Sequence, residues 1–143
     1  VEQVFDRNDI LVRMREQNPL RAAPPQRILP VIEHAVAVYK FWYECRDHLP
    51  KKSRYTLGDK IDSLFIQILE LLFTASYQGR ANKLPTIEIA IKKTDTLKFL
   101  LRVAWELQAL DDKKYVTLSE QMHELGRMIG GWRKGLVAKT PAP

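Results

Sequence analysis

Few side chains in this sequence have the type and spacing for bond-making chemistry. Cys45 and His48 stand three residues apart, so on a helix both could reach one metal ion. A zinc centre takes three or four protein ligands, and no second Cys/His pair is present to complete one; His34 and His123 would contribute only if the fold brought them near. A di-iron carboxylate centre in a helical bundle takes Glu-x-x-His from two helices and a glutamate from each of two others. Glu120 and His123 form one such pair, but Glu33 and Glu44 are not followed three residues later by histidine. A solvated helix face is the plainer account of that single pair. Ser53, Ser63, Ser76 and Ser119 lack the glycine-flanked elbow of a nucleophile, and no glycine-rich phosphate loop or dinucleotide fingerprint occurs. The expectation is a protein that is not an enzyme, with no catalytic residue, no metal and no cofactor.

Binding chemistry is better represented. Lysine and arginine number 23 against 17 aspartates and glutamates, a formal net charge of +6. Such an excess favours polyanionic partners through counterion release and long-range attraction. Lys51, Lys52 and Arg54 cluster before one helix, Lys98 and Arg102 sit one turn apart on another, and Arg127, Arg133 and Lys134 lie near the C-terminus. These eight are the candidate nucleic-acid contacts; Tyr55 and Trp132, beside basic residues, could stack on bases. The competing account is an ordinary solvated surface, with some of these charges paired to carboxylates.

The run from Gly126 to Trp132 is unusual for another reason. Glycine inside a helix costs about 0.5–1 kcal/mol relative to alanine, and Gly126, Gly130 and Gly131 fall within six residues. Either the helix loosens there, or another backbone approaches closely, from this chain or from a second subunit. Gly126, Gly130, Gly131 and Trp132 are therefore candidates for helix or oligomer packing.

The elements that would position these residues are helical. Val31, Ala35, Val38, Trp42, Cys45 and Leu49 alternate in steps of four and three, with a second stripe of Ile32, Val36, Tyr39 and Tyr43 beside it. Pro30 suits the first turn of that helix. After a short basic loop, Thr56 with Asp59 predicts a capping box opening a second helix, whose apolar face runs through Leu57, Ile61, Leu64, Phe65, Ile68, Leu72 and Ala75. Gly79 and the polar stretch to Lys83 predict a break, with Pro85 opening a third helix that carries Ile87, Ile91, Thr94, Leu97, Leu101, Ala104 and Gln108. Asp111-Asp112 predicts a turn and cap. A fourth helix then follows on Tyr115, Leu118, Met122, Leu125, Ile129 and Trp132, fraying from Gly135.

Short connections make sequential helices antiparallel neighbours, so the expected fold is all-α, an up-down-up-down antiparallel four-helix bundle over residues 29–136. Residues 1–28 read as an arm and linker. Val4, Phe5, Leu11, Val12 and Met14 suit one short amphipathic helix, and Asn18-Pro19 and Pro24-Pro25 then interrupt any helix. Residues 137–143 read as a tail. No apolar run approaches the roughly 20 residues that cross a bilayer, no secretory leader is evident, and the single cysteine asks for no oxidising compartment. No membrane association is expected, and the cytoplasm is the expected location.

Three stretches carry a family resemblance: Ser53 to Ile61, Leu97 to Arg102, and Glu124 to Trp132. Together they resemble the bacterial four-helix bundle superfamily, which includes the accessory variability determinant proteins of diversity-generating retroelements and the 23S ribosomal RNA intervening-sequence proteins. The likeness spans Leu29 to Leu136. It implies a ring-forming homo-oligomer, a homopentamer in the accessory proteins, with no catalytic residues. In the retroelement branch it implies RNA (or DNA) binding and partnership with a reverse transcriptase that copies a template RNA during mutagenic retrohoming. The alternative is the intervening-sequence branch, read as a protein-interaction module without nucleic-acid binding.

Overall fold

The computed structural model describes residues 28–139, and among them every regular element is helical. Four long helices build the fold: α1 (Pro30–Arg46), α2 (Asp59–Tyr77), α3 (Arg80–Glu106) and α4 (Asp112–Lys139). Helix α1 packs on α2 and α4, and α3 closes the ring between α2 and α4. The protein is an antiparallel four-helix bundle. Apart from Ile28, the expected arm lies outside the described residues.

The core is made by the seams read in the sequence. Trp42, Phe65, Ile61, Leu72, Leu97, Met122 and Leu125 are among the side chains removed from solvent, each contributing about 1.5–3 kcal/mol by burial. Trp42 stacks on Phe65 at 6.0 Å, joining α1 to α2. Thr94, buried in the α3 seam, donates its hydroxyl to the Ala90 carbonyl at 2.8 Å, which removes the cost of placing it there.

Several helix ends differ from expectation. No capping box forms at Thr56. The chain turns helical at Lys51, behind the Pro50 carbonyl, and passes through a wide π-type turn, Arg54–Gly58, straight into α2. Asp59, the expected capping partner, instead binds Arg46 of α1 at 2.6 Å. Helix α3 starts at Arg80, right after the extended Gln78-Gly79 pair, so Pro85 lies inside it. The carbonyl that Pro85 leaves without a donor belongs to Ala81, which is exposed and open to water. Gln108 is not on the α3 seam but just beyond it, exposed, with φ of 61°. The Ala109 amide folds back onto the Ala104 carbonyl at 2.8 Å, closing the helix as a glycine-type cap does. At the next corner the sequence reading holds: the Asp111 carboxylate accepts from the Lys114 amide at 2.8 Å, and this bond holds its pKa below the ordinary carboxylate value. Helix α4 continues through Gly135 to Lys139, taking in three residues of the expected tail. Leu136 packs on the core one residue past that glycine and anchors the extra turn.

Candidate nucleic-acid interface

Between α3 and α4 lies an open cleft of about 340 Å³. Helix α3 lines it with Lys98, Phe99, Leu101 and Arg102, and α4 with Tyr115, Ser119, Met122 and His123. The helical repeat explains the grouping. Lys98 and Arg102 are one turn apart, and Tyr115, Ser119 and His123 follow at successive steps of four, so each set edges one side of the α3–α4 seam. Leu101 and Met122 form a dry floor, and Phe99 stands exposed at the rim. Trp105 stacks on Tyr115 at 5.0 Å and donates its indole N–H to Asp112 at 2.8 Å, fixing the end of the cleft nearest the α3–α4 corner.

The cations of this cleft are available. Among the described residues Arg102 pairs with Glu106 alone, at 3.1 Å with both partners exposed, a contact of the kind worth about 0.3–0.5 kcal/mol and readily exchanged for a phosphate. Lys98 lies across Gly126: a Cβ there would sit 2.7 Å from the Lys98 ammonium nitrogen. Gly126 therefore leaves room for the Lys98 side chain. Among the described residues, nothing comes within 4 Å of where a Cβ at Gly130 or Gly131 would sit. Trp132 is partly buried against the core, which leaves Tyr55, exposed beside Lys52, as the freer ring for stacking.

The other candidates are dispersed. Lys51 and Lys52 are exposed at the α1–α2 corner. Lys113 and Lys114 meet Cys45 and His48 in a second hollow at that same end, which Glu44 and Asp111 also line; Lys114 pairs with Asp111 at 3.6 Å. Arg54 belongs to the scaffold: its guanidinium donates to the Asp47 and Leu49 carbonyls at 3.2 and 3.1 Å. Arg127 grips Glu124 through two hydrogen bonds, which raise the arginine pKa and lower that of the glutamate. Arg133 reaches Glu88 of α3 at 3.5 Å, towards the opposite end, with Lys134 exposed beside it. The structure thus brings Lys98 and Arg102 together and separates them from the rest. Sequence reasoning did not place Ser119, His123 and Phe99 in this cleft; the step of four from Tyr115 to Ser119 to His123 was the available signal. Burial raises the Cys45 thiol pKa, and among the described residues no three histidine, cysteine or acidic side chains converge as metal ligands.

A family model described as bAvd-like, for bacterial accessory variability determinant, matches residues 22–136. The chain belongs to the bAvd-like family. Its members are non-catalytic accessory proteins, and the match takes in all four helices to Leu136. It begins seven residues ahead of Leu29, so the bAvd-like unit extends into the stretch expected to be an unassigned linker. None of the curated proteins compared with this bAvd-like chain matches it. None of its described helices is long and apolar enough to cross a membrane.

Proposed function

We propose that this bAvd-like chain is a cytoplasmic, homo-oligomeric accessory subunit of a diversity-generating retroelement, holding template RNA in the α3–α4 cleft for a partner reverse transcriptase. The observation that carries the reading is the cleft itself, where Lys98, Arg102 and His123 line one open hollow with an exposed phenylalanine at its edge. Cations at a groove rim suit a phosphate backbone, and an exposed ring suits an unstacked base. Contacts of this kind fix position without reading sequence, which fits a subunit that presents a template. Self-association, a pentamer by family likeness, would use the open Gly130–Gly131 face of α4.

The test is titration of a structured RNA at several salt concentrations, with light-scattering mass measured alongside. Affinity should fall steeply with salt, and the Lys98→Gln/Arg102→Gln variant should lower the slope of log affinity against log salt by about two, one for each phosphate-binding cation removed. A discrete homo-oligomer should gain mass when RNA is added. A protein indifferent to RNA at low salt overturns the reading and leaves the protein-only interaction module.

A further inference from the structure

The second apolar stripe of α1 is not absorbed by the core. Val36 and Tyr43 are exposed, and Tyr39 is only half-buried. Tyr39 reaches Asp62 of α2 with its hydroxyl, so this stripe borders the α1–α2 seam. Across the seam, Asp62, Ile66, Leu69 and Phe73 follow at steps of four, three and four along one face of α2, with Tyr77 one turn further. Ile66, Phe73 and Tyr77 are exposed, and the last two rings meet edge to face at 5.3 Å. Ile28 and Leu29, also exposed, lead directly into α1. A contiguous apolar surface of this sort marks a contact site.

We propose that this α1–α2 surface is the docking site for the N-terminal stretch of the same chain, residues 4–14. The chain enters α1 at the seam, so whatever precedes Ile28 is tethered there, at an effective concentration in the millimolar range for a short linker. The stretch carries the matching chemistry: Val4, Phe5, Leu11 and Val12 stand at i, i+1, i+7 and i+8, one apolar face of a helix. Its reach is sufficient. The fourteen steps from Met14 to Ile28 can extend over roughly 45 Å, against about 26 Å for the whole length of α1. The family match starts downstream of this stretch, at residue 22. This docking stands independently of RNA binding.

Disulfide trapping in the full-length chain tests it. Oxidised Leu11→Cys/Phe73→Cys protein should crosslink within single chains, with a yield independent of protein concentration. The buried Cys45, 3% exposed, does not compete. The matched Leu11→Cys/Val116→Cys protein, with its second cysteine on an exposed site of α4, should crosslink several-fold less. As an independent reading, a Phe5→Ser/Leu11→Ser variant with unchanged helix content should bind a hydrophobic dye several-fold more strongly than the parent. Equal trapping at both sites, trapping only between chains (which would assign the surface to a second copy), or unchanged dye binding overturns the proposal.

Discussion

At Asp62 three donors from α1 converge: the Tyr39 hydroxyl at 3.0 Å, the Trp42 indole N–H at 3.2 Å and Arg46 at 3.3 Å. The carboxylate is mostly shielded, with 15% of its side chain exposed, so removing it strands the buried Trp42 indole N–H and takes a partner from Tyr39 and Arg46. Asp62→Ala should cost about 2–3 kcal/mol, read from urea unfolding. Tyr39 adds a pH signature. Burial first, and then its bond to Asp62, raise its pKa above the ordinary 10.0. A folded-state pKa above the unfolded value means this contribution is complete below pH 10 and is lost as pH rises through the raised value. Stability should therefore fall at alkaline pH, and Tyr39→Phe should flatten that decline. Arg54 shows what residue type alone conceals. In the sequence it is one more cation beside Lys51 and Lys52; only the folded corner shows its guanidinium turned onto two backbone carbonyls. Arg54→Ala should lower stability by about 1–2 kcal/mol, whereas Lys98→Ala should leave urea unfolding nearly unchanged.

Helix interiors were far more legible than helix ends. The buried seams from Val31 to Ile129 follow the spacing read in the sequence, because many apolar residues repeat the same signal and no single one decides it. Each end turns on one or two residues and on what lies nearby. Thr56 and Asp59 suit a capping box, yet Arg46, on a different helix, takes the aspartate. Pro85 suits a helix start, yet the exposed Ala81 carbonyl tolerates the lost bond. Gln108 fits the seam spacing, yet it adopts the left-handed backbone that closes α3. A residue with a Cβ costs roughly 1–2 kcal/mol in that conformation, and glycine avoids most of this. Gln108 is exposed and makes no side-chain bond among the described residues. Gln108→Gly should therefore raise the thermal midpoint, by about 1 kcal/mol in stability. An unchanged or lowered midpoint would mean that its side chain has a role at the α3–α4 corner.

For the molecule as a whole, the glycines of α4 separate what stabilises one chain from what joins chains together. Gly130 and Gly135 lie on the same helix, and a Cβ at either meets nothing within 4 Å. Within a single bundle, alanine at each position should therefore stabilise by about 0.5–1 kcal/mol, since the unfolded chain loses freedom and nothing in the fold is crowded. The two sites differ in their surroundings. Gly130 is half-buried, one turn from Gly126, whereas Gly135 is exposed near the end of the helix. If a second subunit packs against the Gly130–Gly131 face, a methyl group at Gly130 blocks the approach, and one at Gly135 does not. Gly135→Ala should then keep the parent's light-scattering mass and unfold later. Gly130→Ala should shift the population towards single chains that are individually no less stable in urea. Two variants that both retain the parent assembly would show that this face of α4 is free of subunit contacts, and that its glycines were not selected for packing between chains.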